Sequence, residues 1–409
     1  MRIYHFYDTY RRKKDNKMFK DPVLITRILI EINKKSYVTL CIMFLCSCFP
    51  INYKDNGSTV TYVDTNEIKL LAITKTNTKT KIPETKLFES TYTITSTSII
   101  TLPPREWTER GLSRKRIFTI LIDPTSPDII YASTASGIYK SSNKGLDWYQ
   151  ITQPLTVAIA IDPKQPTTIY SGGYDGIEGD YRGYGWSIIL RSTNGGGKWT
   201  SSDHIGYDNR ISSIVIDPTN PSIIYTVAYG ARPAWEESNG VYKSMDNGKT
   251  WFQILVEWVY SIVIDPDDTL VLYAQTKNGV MKSKDGGINW KLVFNNIWFL
   301  KINPKFTNIY YATNSDNQLV LSSDAGKSWK IITSGLPNEE LIIKTIEFDP
   351  IDPSLILLGT NMGIYKSITS GEQWFYDGLG DMNIRTIAID PKNNSHIYAG
   401  TDNGVYSTS

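Results

Sequence analysis

Two carboxylates, Asp180 and Glu236, stand in the two stretches of this chain that interrupt an otherwise regular pattern. A pair of carboxylic acids at a set separation is what glycoside hydrolysis needs, one to protonate the leaving oxygen and one to attack or activate water. No spacing in the sequence selects one pair among the acids of these stretches, which also include Asp175, Glu178 and Glu237. Other chemistries have fewer parts to work with. The chain holds three histidines, His5, His204 and His396, and three cysteines, Cys41, Cys46 and Cys48. Zinc enzymes and triads that need several His or Cys are therefore nearly excluded. His204 has no evident serine partner. No metal and no cofactor is expected.

The same two stretches, GGYDGIEGDYRGYGW (172–186) and AYGARPAWEESNG (228–240), are rich in aromatic and charged residues. Tyr174, Tyr181, Tyr184, Trp186, Tyr229 and Trp235 would supply a floor, with Asp175, Arg182 and Arg232 among the charges around it. The connecting segment 201–210 adds His204 and Arg210. Aromatic faces ringed by polar groups suit stacking against sugar rings, or an anchor pocket for a protein partner. Two decorated loops packing on each other would give the same composition.

The elements that must position these residues come from an internal repeat. An apolar run ending in Asp-Pro recurs at Asp123, Asp162, Asp217, Asp265, Asp349 and Asp390, with Asn303-Pro304 as a seventh copy. An Ile-Tyr-Ala-like strand follows each. Six copies then carry Ser-x-Asp-x-Gly-x-x-Trp, at 141–148, 192–199, 244–251, 283–290, 322–329 and 367–374. The third position is Asp in Asp246, Asp285 and Asp324 but Asn or Thr elsewhere, which fits a turn acceptor rather than a catalytic acid. Gly248 can take a positive φ, and Trp251, Trp290 and Trp329 are expected to pack against a neighbouring unit. From the strand-ending Asp or Asn to the Trp the spacing is 25, 37, 34, 25, 26 and 25 residues, so both insertions fall between the second and third strands of adjacent units.

This pattern resembles the Asp-box, or BNR repeat, of sialidases, sortilin-type receptors, xyloglucanase-type hydrolases and the photosystem II assembly-factor family, over about residues 105–409. The resemblance implies an all-β fold, a single seven-bladed β-propeller of four-stranded antiparallel blades. The seventh unit stops after its third strand, and Trp107-x-x-x-Gly111-Leu112 supplies the missing piece. Residues 105–110 are thus expected to close the ring as an outer strand. No Arg-Ile-Pro motif of sialidases is present, and xyloglucanase-type enzymes use two propellers where this chain has room for one. An enzyme is therefore not favoured.

The remaining residues read as address and tether. Lys34 and Lys35 precede an apolar run over 37–45, too short to span a bilayer comfortably. Leu45-Cys46-Ser47-Cys48 resembles the lipobox of bacterial lipoproteins, which would make Cys48 the lipidated first residue of the mature chain. An ordinary signal peptide or an uncleaved anchor fits the same run, and Met18 is an alternative start to Met1. The expected divisions are an export segment over 1–48, a Ser/Thr-rich tether over 49–104 and the propeller over 105–409. The net charge of +2 conceals a balance of −5 over residues 101–409. That sign argues against nucleic acid as a partner. The reading is a monomeric, non-catalytic, membrane-anchored extracytoplasmic propeller that binds a protein or assembly partner on the insertion face. The alternative is a carbohydrate-active protein using the same insertions.

Overall fold

Each repeat supplies β-branched and aromatic runs broken by Asp-Pro and Gly turns, a composition that favours short pleated strands. The computed structural model describes residues 59–64, 67–77, 90–96, 103–152, 158–175, 186–207, 209–230, 237–337 and 340–408. Two compact units divide the chain, 1–101 and 102–409.

In the first unit the backbone forms a three-stranded antiparallel sheet from Thr59–Asp64, Glu67–Asn77 and Ser90–Ser96. This segment was expected to be an extended tether. Its alternating Thr, Val and Ile residues carry the β propensity that pairs them. The export segment, Cys48 included, lies outside the described residues.

The second unit is the propeller. Blade 1 consists of strands a to d at Ile117–Ile122, Ile130–Thr134, Gly137–Ser141 and Tyr149–Gln150, hydrogen-bonded in that order. Five more blades repeat the order through to Phe375–Gly378. Blade 7 takes strands a to c from Ile384–Ile389, Ile397–Thr401 and Gly404–Ser407, and its outer strand from Thr108–Glu109. Glu109 pairs with Tyr406 and Thr108 with Ser407, so the start of the propeller closes its end. The cores are layers between blades: Tyr225, Val227 and Val241 of blade 3 pack against Val259, Ile262 and Leu272 of blade 4.

Three side-chain devices recur. In five blades the strand-ending Asp is buried and its Oδ1 accepts the backbone N–H groups two and three residues on, as at Asp123 (2.8 and 3.0 Å), while the half-buried Asp265 accepts from Asp267 N–H. Asn303 does the same with its amide oxygen, both at 3.0 Å, which explains the one exception to Asp-Pro. In the Asp-box, Ser244 donates to Asp246 at 2.8 Å and accepts from Gly248 N–H at 2.9 Å. In four boxes the Trp donates its indole N–H at or just past the outer strand of the preceding blade: Trp148 to Arg110 O, Trp199 to Ile151 O, Trp290 to Ile254 O and Trp374 to Ile332 O. Trp107 makes the equivalent bond to Asp377 O at 2.9 Å, so the first strand of the propeller also supplies the seventh tryptophan.

The box carboxyls at Asp246, Asp285 and Asp324 are all held at about 2. At Asp246 burial opposes ionisation, but hydrogen bonds from Thr250, Ser244 and Lys249 outweigh it. Asn289 and Ser283 hold Asp285 down, and Ser328 and Ser322 hold Asp324 down. A carboxyl whose folded pKa is depressed stabilises the fold fully above its unfolded value near 4, and that contribution is lost as pH falls through about 2. Tm should therefore drop steeply between about pH 4 and 2. The triple variant Asp246→Asn, Asp285→Asn, Asp324→Asn should flatten this part of the curve, since Asn143 and Asn194 already occupy the same position in two boxes. Thermal melts of the protein and the variant across that range would test it, and parallel curves would contradict the assignment.

Candidate functional site

Strand direction alternates within a blade, so the a–b and c–d turns share one face. The b–c hairpins and the connections to the next blade share the other. Four blades close the b–c hairpin with Thr-x-x-Gly, the Thr hydroxyl donating to the Gly carbonyl: Thr134 to Gly137, Thr276 to Gly279, Thr360 to Gly363 and Thr401 to Gly404, at 2.8–3.0 Å. Both insertions replace this hairpin, in blades 2 and 3. The described strand ends that flank them, Asp175 with Trp186 and Gly230 with Gly240, lie on the face opposite the Asp-boxes.

Of the residues expected to form a site there, Asp180, Tyr181, Arg182, Tyr184, Trp235 and Glu236 lie outside the described residues. So do the side chains of Tyr174, Asp175 and Trp186. Their backbones extend the blade 2 hairpin, with Tyr174 opposite Ser187 and Asp175 opposite Trp186. A short outer strand, Gly206–Tyr207, adds to the same edge by pairing with Ser187 and Trp186. His204 is exposed in the connection from blade 2 to blade 3. Arg210 and Tyr229 are brought together, directly opposite each other at the start of blade 3. The Tyr229 ring lies 6.2 Å from that of Trp258, tilted by 36°.

Trp258 stands just before the inner strand of blade 4, where a set that the sequence reading missed begins to show. In six blades a β-bulge shifts the register of the inner strand near its start, between Ile117 and Thr119, Ile211 and Ser213, Val259 and Ser261, Ile297 and Phe299, Ile343 and Thr345, and Ile384 and Thr386. Each bulge leaves one residue out of the ladder: Phe118, Ser212, Tyr260, Trp298, Lys344 and Arg385. Bulges of this kind re-aim a side chain beside a site. The inner strands begin on the insertion face, so the six residues surround the mouth of the central channel there.

The bulge also decides what is buried. Ile117, Val259 and Ile384 are fully buried, and the first and last pack where Gly400 and Gly359 leave no room for a Cβ. Tyr260 and Trp298 are in turn expelled, 48% and 36% exposed. Tyr229, Trp258, Tyr260 and Trp298 thus give blades 3 to 5 an aromatic arc. Blades 6, 7 and 1 carry cations. Lys344 is exposed, the Arg385 guanidinium lies 5.9 Å from the Phe118 ring centroid, and Asp402 is shared between Arg385 Nε at 2.5 Å and Arg116 Nε at 2.9 Å.

General acid catalysis at neutral pH needs a carboxyl moved upward. The described carboxyls with shifted acidity, Asp217, Asp246, Asp285, Asp324, Asp352 and Asp402, all move down. At Asp402 burial works against ionisation, and hydrogen bonds from Arg385 and Asn383 prevail.

No protein-family model matches the chain, and no curated protein matches it. Solved structures do. A GH74 xyloglucanase from Xanthomonas campestris aligns with a TM-score of 0.59 at 17% identity, covering 74% of this chain and 53% of that one. YCF48 bound to D1 peptide aligns at 0.56 and 12% identity, covering 76% and 97%, and YCF48 from Cyanidioschyzon merolae at 0.54 and 14%, covering 74% and 98%. This chain therefore spans about half the length of the xyloglucanase and nearly all of each YCF48 chain. At these identities the likeness is one of fold, the seven-bladed propeller.

Proposed function

We propose that this protein is a non-catalytic binding propeller that docks a protein partner on its insertion face. The observation that carries the reading is the ring of expelled residues at the channel mouth. Bulges place exposed Tyr260 and Trp298 on blades 4 and 5 and the cations Lys344 and Arg385 on blades 6 and 7, while Tyr229 and Arg116 add an aromatic ring on blade 3 and a cation on blade 1. Exposed Trp and Tyr rigidly held next to Arg are the residue types that dominate binding energy at protein interfaces. The matching segment of the partner carries an apolar anchor and an acidic group. Full-length overlap with YCF48, whose structure holds a peptide, supports a peptide-binding use of a single propeller.

In this reading the propeller works outside the cytoplasm, moored through Cys48. Residues 1–48 act as an export segment, and residues 49–104 link anchor and propeller. The mature N-terminus, determined by mass spectrometry, tests the mooring: a lipidated Cys48 supports it, and an intact chain with a free Cys48 thiol contradicts it.

Once a partner is in hand, Tyr260→Ala with Trp298→Ala should weaken its binding at least about tenfold, as loss of interface hot spots does. Both side chains are substantially exposed, so Tm should stay within about 2 °C. Binding unchanged in the double variant would remove this face. Screening the purified protein against a glycan array and chromogenic glycosides tests the carbohydrate alternative, and hydrolysis or tight sugar binding would overturn the proposal.

A further inference from the structure

The opposite end of the central channel holds a second feature, independent of the partner reading. Two residues before the strand-ending Asp or Asn, the seven inner strands carry Leu121, Ala160, Val215, Val263, Lys301, Glu347 and Ala388. Five are apolar. The two charges are opposite in sign and sit on adjacent blades, with Lys301 Nζ 3.3 Å from Glu347 Oε1. Both remain about one-third exposed, at 36% and 33%. They line a cavity of about 440 Å³ whose other walls include Leu121, Ile122, Phe348, Ala388 and Ile389.

Structural need does not account for this pair. A partly exposed ion pair contributes about 0–1 kcal/mol. Apolar side chains serve the same position in five blades. Among the described residues, Lys301 uses one of its three N–H donors, on Glu347, and Glu347 Oε2 accepts no hydrogen bond. The pair therefore keeps donor and acceptor capacity beside a cavity whose other walls are mostly apolar, with Thr119 and Thr386 as the remaining polar side chains. The volume falls within the range of small-molecule sites, roughly 300–1,000 Å³.

We propose that this cavity binds a small zwitterion, a free amino acid with an aliphatic side chain. The ligand carboxylate meets Lys301 and its ammonium meets Glu347, while the aliphatic group lies against Leu121, Ala388 and Ile389. Two protein charges only 3.3 Å apart complement an ammonium and a carboxylate on one carbon, rather than the separated termini of a peptide.

Isothermal titration of the full-length protein with L-leucine tests this. Leucine should bind, and both leucinamide and N-acetyl-leucine, each lacking one charge, should bind at least about tenfold more weakly. The dipeptide Leu-Leu should also bind more weakly, which separates an amino acid from a peptide. Lys301→Met and Glu347→Gln should each weaken leucine at least about tenfold. The double variant Lys301→Val, Glu347→Val, which installs what other blades carry, should melt as the parent does and bind no leucine. If a variant fails to fold, the blocked ligands on the parent protein decide the matter. Absence of leucine binding up to about 10 mM, or equal binding of the charge-blocked ligands, would overturn the proposal.

Discussion

Replacing Asp377 by alanine is expected to destabilise the folded ring by about 3–5 kcal/mol, the cost of stranding buried charges. Asp377 is fully buried in the outer strand of blade 6. Arg105 donates to its Oδ2, and Lys366 Nζ lies 2.8 Å from its Oδ1 as an ion pair outside hydrogen-bond alignment. The Asp377 carbonyl accepts the Trp107 indole, and Lys366 also reaches Pro103 O at 3.3 Å. One residue thus holds the closing segment by side chain and main chain together. In blades 1 and 3 the equivalent lysine reaches the carbonyl of the next Asp-box glycine, Lys140 to Gly195 and Lys243 to Gly286, both at 2.9 Å. Blade 7 has no such box, and Asp377 with the closing segment takes its place. Removing the carboxylate leaves two cations facing an apolar seam. Thermal unfolding should shift down by at least about 6 °C, given a few degrees per kcal/mol for domains of this size. The variant Lys366→Met with Asp377→Leu should recover part of the loss, because only Arg105, itself 23% exposed, is then left without its partner. An unchanged Tm for Asp377→Ala would show that the seam is held elsewhere.

Deleting residues up to Arg110 should have a still larger effect. The deletion removes the outer strand of blade 7, the seventh interblade tryptophan and the Arg105 side chain together. Gly404–Ser407 then becomes an open sheet edge, and the Asp377–Lys366 site loses its cover. A closed propeller has no free edge at its seam, and an open one presents a strand that pairs with other chains. The expected outcome is loss of a single cooperative melting transition, with concentration-dependent aggregation visible by light scattering. A monomeric protein melting as before would contradict the closure.

The architecture was largely legible because the repeat advertises its own turns. Asp-Pro and the Asp-box each fix a turn by side-chain hydrogen bonds, so a residue count located every blade. The ring closure was legible for the same reason, as Trp107 keeps the spacing of a box tryptophan to the strand behind it. The channel mouth was not. Read as plain alternation, Phe118, Tyr260 and Trp298 fall on the same face as Ile120, Ile262 and Leu300, and look like core. A one-residue bulge reverses that assignment, giving the buried place to Ile117, Val259 and Ile297. Backbone register decides exposure there, and no single residue type announces the bulge. These aromatic residues belong to regular inner strands of blades 1, 4 and 5, outside the insertions whose composition stands out. The Lys301–Glu347 pair was hidden differently: only alignment of all seven inner strands shows that five copies of the position are apolar.

The most direct test of the binding face is site-specific photocrosslinking. A photoreactive phenylalanine analogue would replace Trp298 at the channel mouth in one protein. In another it would replace Ile288, which is 79% exposed on an Asp-box turn of the opposite face. With the partner present, the account predicts a covalent adduct from position 298 and none from position 288. Adducts from 288 alone would contradict it and place the partner on the Asp-box face.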